Sequence, residues 1–177
     1  MFFKQLSKHH QHVAVIEGDR QLTYAQLQDE VARRVSILPG MRSLVMLKAS
    51  NNLNTLVDYL ACLQAGHPIL LIDNAISSVH LGRLLERYQP NLLLSQGTIE
   101  PQHNKVLTMA PELALLLSTS GSTGSPKQVA LSYVNLQANA DSICAYLPIA
   151  QSDRTITTLP FFYSYGLSVI NSHLLVG

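Results

Sequence analysis

Charged residues are scarce in this sequence of 177 residues, of which only 13% are Asp, Glu, Lys or Arg. A typical soluble domain has about 25%. The formal net charge is +1, which provides no general electrostatic attraction to nucleic acid or to an anionic membrane. We expect that part of the surface is covered, either by another copy of the chain or by further residues of a longer protein.

Cysteine is also rare, and the two present, Cys62 and Cys144, lie far apart without metal-binding spacing. This predicts reduced thiols in a cytoplasmic protein. No stretch approaches the roughly 18 uninterrupted apolar residues of a membrane helix, and residues 1–12 lack the apolar core of a secretory signal. We interpret His9, His10 and His12 as a surface tail rather than a metal site.

The hydrophobic pattern predicts strands that are apolar throughout, at residues 43–49, 67–73 and 112–118, alternating with amphipathic helices. Shorter strands are predicted at 105–109 and 153–160. The pattern indicates one α/β unit over residues 1–177, with a mainly parallel sheet flanked by helices on both faces. Ligands of such folds bind beyond the carboxyl ends of the strands.

A segment of hydroxyl residues and glycine, STSGSTGSPK (residues 118–127), directly follows the apolar strand 112–118. Glycines and hydroxyl residues in succession allow backbone N–H groups to form a concave anion-binding nest. Gly121 and Gly124 permit positive φ, and Lys127 adds a cation suited to phosphate. The composition favours polyphosphate binding. A surface loop made of turn-forming residues is an equally open interpretation at this point.

The segment differs from the two best-known phosphate-binding patterns. A Walker A loop would require glycine in place of Pro126 and Ser or Thr in place of Gln128. The glycine spacing also does not fit the G-x-G-x-x-G dinucleotide pattern.

The order of residues resembles the phosphate loop of the acyl-adenylating superfamily, which includes acyl-CoA synthetases, peptide-synthetase adenylation domains and luciferases. Its pattern, Thr-Ser-Gly-Ser/Thr-Thr-Gly-x-Pro-Lys-Gly, is matched at nine of ten positions. Three further elements resemble the family in the same order along the chain: LTYAQL (22–27), LQAGHPILLID (63–73) and LPFFYSYGL (159–167).

The resemblance implies the N-terminal part of the large domain of an AMP-dependent ligase. Such an enzyme uses ATP with Mg²⁺ to convert a carboxylic acid to an acyl-adenylate, releasing pyrophosphate. CoA or a carrier phosphopantetheine then usually accepts the acyl group. By the same resemblance, the phosphates would be held by Thr119, Ser120, Gly121, Ser122, Thr123, Gly124 and Lys127, and the acyl group would lie near Tyr163 and Gly166. The resemblance assigns no catalytic residue within this sequence.

Two departures from the family pattern lie at Gln128, where glycine is usual, and at Tyr163, where many acyl-CoA synthetases have histidine. The family's later motifs are absent, so we expect a fragment that is inactive alone. Two other functions remain open: a non-catalytic binding or assembly module with the same fold, and another kind of phosphate-binding enzyme. The sequence does not identify the acid, the thiol acceptor or the oligomeric state.

Overall fold

A computed structural model describes residues 1–118 and 128–177 of the protein. Two short 3₁₀ helices, Phe2–Lys4 and Leu6–His9, precede an antiparallel ribbon of β1 (Val13–Glu17) and β2 (Arg20–Thr23). The larger sheet contains β3 (Val45–Ala49), β4 (Ile69–Asp73), β5 (Leu92–Ser95), β6 (Thr98–Pro101), β7 (Leu113–Ser118) and β8 (Gln128–Ser132). The helices are α1 (Tyr24–Ile37), α2 (Leu53–Ala65), α3 (Ser78–Tyr88), α4 (Tyr133–Tyr146) and α5 (Ser164–Val176).

The larger sheet has the strand order β6-β5-β3-β4-β7-β8. Its four inner strands are parallel to one another, whereas β6 and β8 are antiparallel strands at the two edges. The chain leaves β3 and β4 in opposite directions across the sheet, and right-handed crossovers then require α2 and α3 to lie on opposite faces. The prediction of an α/β fold with a mainly parallel sheet covered on both faces is therefore confirmed.

Two separate apolar clusters show how the faces are covered. On one face, Val45, Leu47 and Ile69 belong to a large cluster that includes residues of α1, α2, α4 and α5. On the other face, alternate strand residues such as Met46 and Leu70 pack with residues of α3. This arrangement explains why the parallel strands are apolar at most positions, because both sides of each strand are buried.

Local sequence signals set the ends of the helices. The side chain of Thr23 accepts a hydrogen bond from the Gln26 N–H, and the Gln26 side chain accepts from the Thr23 N–H, which completes a capping box before α1. The Asn52 side chain caps α2, which ends at Gly66 with φ of +80°. Within the described residues, no helix combines the length and apolarity needed to span a bilayer.

Two predicted strands are absent because side chains, rather than a neighbouring strand, bind their backbones. The Nδ2 atom of Asn91 donates to the carbonyls of His103 and Lys105, at 3.0 and 2.8 Å, so residues 105–109 do not form a strand. Residues 153–160 are also irregular, and Ile156 within them is 80% exposed.

The structure also corrects the interpretation of the N-terminal histidines as one surface tail. His10 and His12 are exposed, but His9 is buried, with its ring centroid 5.3 Å from that of Tyr24. Burial lowers the pKa of His9, which favours its neutral form.

Arg42 anchors the irregular segment that leads into β7. Its guanidinium donates to the carbonyl oxygens of Gly66 at 3.1 Å and of Leu113 at 2.8 Å. It also donates to those of Met109, Ala110 and Pro111. A planar guanidinium with five N–H groups can satisfy several carbonyls at once, which a lysine ammonium cannot reproduce in the same geometry.

We expect Arg42→Lys to lower the free energy of unfolding by about 2 kcal/mol, because hydrogen bonds from a charged group contribute roughly 1.5–3 kcal/mol. Urea denaturation of the 177-residue chain measures the change. Arg33→Lys is the matched control, since Arg33 is 67% exposed and forms a surface ion pair with Glu30; it should alter stability by less than about 0.5 kcal/mol. Equal effects of the two substitutions would contradict the proposed anchoring role.

A buried ion pair joins α1 to α2. The Nε atom of Arg34 lies 3.0 Å from Oδ1 of Asp58, whose side chain is fully buried. Arg34 Nη1 also donates to the carbonyl of Gly97 at 2.6 Å, in the turn between β5 and β6. Burial raises the pKa of Asp58 from 3.8 to about 6, and the neighbouring Arg34 opposes this shift only in part.

This shift predicts a pH dependence of stability. Between about pH 4 and pH 6 the folded state binds more protons at Asp58 than the unfolded chain, so the contribution of this group to stability falls as pH rises through that window. Asp58→Asn removes the titration. We therefore expect the stability of Asp58→Asn relative to wild type to increase by on the order of 3 kcal/mol between pH 4 and pH 7.

Urea denaturation of both proteins at intervals between pH 4 and pH 7 measures this difference. Ser36→Ala in α1 serves as the control, because Ser36 is exposed and carries no titratable group, and its difference from wild type should remain nearly constant. A constant difference for Asp58→Asn as well would refute the raised pKa of Asp58.

Candidate active site

Polar side chains gather at the carboxyl edge of the sheet, where β3, β4, β5 and β7 all end. Gln96, just beyond β5, donates from Nε2 to the Ser50 hydroxyl at 3.2 Å and accepts from Asn52 Nδ2 at 2.8 Å. Both partners follow β3. Connections from β3 and β4 leave toward opposite faces, so this edge is the switch point at which open α/β sheets bind ligands.

The predicted phosphate loop joins β7 to β8 at this same edge. Ser118 and Gln128 are paired residues of the antiparallel ladder, and Gln128 Nε2 donates to Ser118 Oγ at 2.8 Å. Strand β7 also pairs with the buried strand β4. The predicted phosphate-binding residues, Thr119, Ser120, Gly121, Ser122, Thr123, Gly124 and Lys127, lie outside the described residues. The structure therefore fixes where the two ends of the loop lie.

Gln128 has a defined place at the foot of the loop, although it departs from the family pattern. Its side chain is partly buried and is anchored by Ser118, and it begins the edge strand β8. Sequence analysis did not predict β8. The sequence QVALS is short, and the strand forms because its backbone pairs with β7.

Asp73, at the carboxyl end of β4, has a structural role. Its Oδ1 accepts a hydrogen bond from the N–H of Ala75 at 2.8 Å, as in an Asx turn. We therefore assign Asp73 to the turn that leads toward α3.

Tyr163 lies immediately before α5, at its N-cap position. Its side chain is 47% exposed, and its ring centroid lies 4.7 Å from that of Phe162. Tyr165 is 67% exposed. Neither tyrosine therefore packs in the core, and Tyr163 is accessible to a ligand.

Gly166 is buried in the first turn of α5, where the helix approaches the preceding backbone closely. A Cβ atom at this position would lie 2.4 Å from the carbonyl oxygen of Pro160 and 2.8 Å from that of Leu159. The contact requires glycine for space, and it holds the start of α5 against residues 159–160. Gly166 thus shapes the backbone near Tyr163.

Asn51, which follows β3 at the carboxyl edge, was missed by sequence reasoning. Its Nδ2 donates to the carbonyls of Thr157 and Leu159, at 2.5 and 2.9 Å, and its Oδ1 accepts from the N–H of Phe161 at 2.9 Å. In the sequence Asn51 is one of two adjacent asparagines before a helix, which indicates only a helix start. Its contacts connect residues more than 100 positions apart.

Phe161 anchors the same segment in the core. It is 2% exposed, and its ring meets that of Tyr59 edge-on, with centroids 5.5 Å apart. The Tyr59 hydroxyl donates to Oδ1 of Asn171 in α5 at 3.2 Å. Burial raises the pKa of Tyr59, so its phenol stays protonated and keeps this hydrogen bond.

A cavity of about 400 Å³ lies between the β1–β2 ribbon, α2, residues 154–157 and α5. Its wall is largely apolar and includes Val15, Leu56, Phe161, Ile170 and Leu174. Tyr163 and Gly166 do not line it. Among residues 1–118 and 128–177 there is no group of three or more His, Cys, Asp or Glu side chains that could hold a metal ion.

We expect Gly166→Ala to lower the free energy of unfolding by about 1–3 kcal/mol, because the added methyl group would overlap two carbonyl oxygens. Gly82→Ala in α3 is the matched control, since a Cβ there would meet nothing within 4 Å. Alanine is favoured over glycine inside a helix, so the control should be stabilising by up to about 1 kcal/mol. Thermal or urea denaturation measures both, and stabilisation by both substitutions would rule out the close contact at Gly166.

Comparison with known proteins gives a matching family model and several curated relatives. The family model described as "AMP-binding enzyme" matches residues 96–177. A D-alanine–D-alanyl carrier protein ligase from Bacillus velezensis is 28% identical over 180 aligned residues, covering 86% of this chain and 35% of the relative. A 2-succinylbenzoate–CoA ligase from Bacillus licheniformis is 26% identical, covering 93% of this chain and 40% of the relative.

Solved structures share the fold. The o-succinylbenzoate CoA synthetase of Bacillus subtilis, in complex with the acyl-adenylate intermediate OSB-AMP, has a TM-score of 0.81 at 21% identity, covering 99% of this chain and 53% of that chain. ATP-bound MatB from Rhodopseudomonas palustris has a TM-score of 0.82 at 21% identity, covering 99% and 43% of the two chains.

The chain spans 35% and 40% of the length of the two curated relatives. These relatives are themselves ligases of the AMP-binding superfamily, and they align with about nine-tenths of the chain. Residues 96–177, which include the whole loop between β7 and β8, match the model of AMP-binding enzymes, and the chain is similar to ligases of that superfamily over most of its length.

Proposed function

We propose that this chain is part of an ATP-dependent ligase that activates a carboxylic acid. The acid carboxylate attacks the α-phosphate of ATP, which gives an acyl-adenylate and releases pyrophosphate. A thiol, either CoA or a carrier phosphopantetheine, then takes the acyl group and releases AMP. The two curated relatives, a carrier protein ligase and a CoA ligase, support a thiol acceptor without deciding between these two kinds.

One observation carries this proposal. The segment that matches the family's phosphate loop at nine of ten positions connects β7 to β8, and both of its ends lie at the carboxyl edge of the sheet. A parallel sheet buried on both faces holds β7 rigidly against β4. The loop thus begins on a strand that pairs with the buried strand β4, at the edge where ligands of such folds bind.

The residue types of the loop suit the charge that develops in this reaction. Negative charge accumulates on the departing pyrophosphate, and fixed donors aimed at it lower the barrier. In this proposal, the hydroxyls and backbone N–H groups of residues 119–124 hold the β- and γ-phosphates, and Lys127 supplies a cation. Mg²⁺ is proposed to arrive with ATP, since phosphate oxygens and water are its preferred ligands.

The acyl group is proposed to lie beside Tyr163, with Gly166 shaping the adjoining backbone. Tyr163 is accessible and follows the segment fixed by Asn51, which places it at the end of an anchored piece of backbone. A tyrosine in place of histidine presents a larger side chain with a hydroxyl, so the acyl pocket should differ in shape from that of many acyl-CoA synthetases.

We expect Lys127→Ala to weaken binding of Mg-ATP and of pyrophosphate by roughly 10- to 100-fold, because a charge-assisted contact to phosphate is lost. Isothermal titration calorimetry on the 177-residue chain measures both ligands. Lys105→Ala is the matched control, because Lys105 contacts Gln89 through its ammonium group, away from the loop. It should leave binding unchanged. Equal affinity of wild type and Lys127→Ala would contradict the assignment of Lys127.

Activity is tested on the complete gene product by acid-dependent pyrophosphate release. D-alanine and 2-succinylbenzoate are the first acids to test, because the relatives' names contain them; hexanoate and benzoate extend the panel to simple alkyl and aryl acids. Release with at least one acid would support the ligase. Nucleotide binding without release for any acid would favour a non-catalytic module instead.

A further inference from the structure

Residues 154–162 lack regular secondary structure, yet they precede the helix that carries Tyr163 and Gly166 to the candidate acyl site. Within the part of the chain that the structure describes, this segment forms three hydrogen bonds with residues before position 154. All three are with the side chain of Asn51. Asn51 uses both its donor and acceptor ends in these bonds. One side chain therefore fixes the backbone of this segment.

The carbonyl of Leu159 links Asn51 to the start of α5. It accepts a hydrogen bond from Asn51 Nδ2 at 2.9 Å, and it would lie 2.8 Å from a Cβ atom at position 166. The same carbonyl is thus held from one side by Asn51 and approached on the other side by the first turn of α5. A displacement of Leu159 would move the wall against which Gly166 packs.

Phe161 forms a further link between Asn51 and the backbone that precedes α5. The Phe161 N–H donates to Asn51 Oδ1, and the Phe161 ring packs in the core against Tyr59. Tyr163 follows two residues later, and its N–H donates to the carbonyl of Pro160 at 3.1 Å. The position of Tyr163 therefore depends on a backbone that Asn51 holds.

We infer that Asn51 is a positioning residue for the acid substrate. It ties the carboxyl end of β3, in the rigid sheet, to the backbone that places Tyr163 and Gly166. This inference rests on the proposed function, because acid binding near Tyr163 is assigned there. It predicts that loss of the Asn51 amide weakens binding of the acid and leaves binding of the nucleotide at the β7–β8 loop nearly unchanged.

Asn52 provides a matched control next in sequence. It is also an asparagine at the carboxyl edge, with Oδ1 accepting from the Thr55 N–H at 2.9 Å and Nδ2 donating to Gln96 at 2.8 Å. Its contacts cap α2 and do not involve residues 154–162. A general loss of stability at this edge should therefore follow from Asn52→Ala as well, whereas a positioning effect should follow only from substitution of Asn51.

The test compares Asn51→Ala, Asn51→Asp and Asn52→Ala in the complete gene product, with the acid that gives the fastest pyrophosphate release. For Asn51→Ala we expect the KM for the acid to rise by at least about tenfold, with the KM for ATP within about twofold of wild type. Asn51→Asp keeps the shape of the side chain but replaces the two donor bonds with repulsion between oxygens, so it should not restore the KM. Asn52→Ala should lower the melting temperature without a selective rise in the KM for the acid, because its side-chain hydrogen bonds do not involve residues 154–162.

A second measurement follows the segment directly. Hydrogen exchange of the Phe161 amide, observed by NMR on the 177-residue chain, should be slow in wild type and in Asn52→Ala and at least about tenfold faster in Asn51→Ala. Unchanged exchange in Asn51→Ala would overturn the positioning role on structural grounds.

The two possible failures are distinguishable. If the wild-type gene product releases pyrophosphate with none of the acids, the proposed function fails and the inference fails with it. If wild type is active but Asn51→Ala keeps its acid KM within twofold, or if Asn51→Asp restores wild-type kinetics, only the inference about Asn51 is overturned.

Discussion

The parallel pairing of β3, β4 and β7 is the constraint on which the rest of this structure depends. Backbone hydrogen bonds fix the register of these strands, and burial on both faces prevents a shift by one residue, which would reverse the direction of every side chain. Because the strands are parallel, their carboxyl ends meet at one edge. Asn51 and Ser118, the last residue of β7, therefore lie at the same edge of the sheet.

Signals within one element made the core of the fold predictable from the sequence. The Thr23–Gln26 capping box and the Asn52 and Gly66 boundaries of α2 each involve residues close together in the chain, so the sequence alone indicates them. The strands predicted at 105–109 and 153–160 were wrong, because their backbones are bound by the side chains of Asn91 and Asn51 instead. Such contacts join residues that are distant in the chain, so they produce no periodic pattern in the sequence.

Part of the candidate site could be predicted from the sequence, and the rest required the structure. Its loop was recognisable because resemblance to a family needs only the order of residues, and Tyr163 and Gly166 were assigned by the same resemblance. Physical reasoning alone stopped at a nest suited to anions. The need for glycine at position 166 is explained only by the carbonyls of Leu159 and Pro160 that lie close to it. The hydrogen bonds of Asn51 could not be inferred from the sequence, because two adjacent asparagines before a helix indicate only a helix start.

Arg42 has a consequence for the order in which the chain assembles. Its partners Met109, Ala110 and Pro111 belong to the connection between β6 and β7. Residues that pair between β4 and β7, such as Ile69 and Leu115, are 46 positions apart in the chain. Closing so long a loop is slow. Arg42 lies just before β3. Once the β3–β4–β5 sheet exists, its guanidinium can bind the carbonyls of this connection. We therefore expect the β7–β8 hairpin to join the sheet after β3, β4 and β5 have paired.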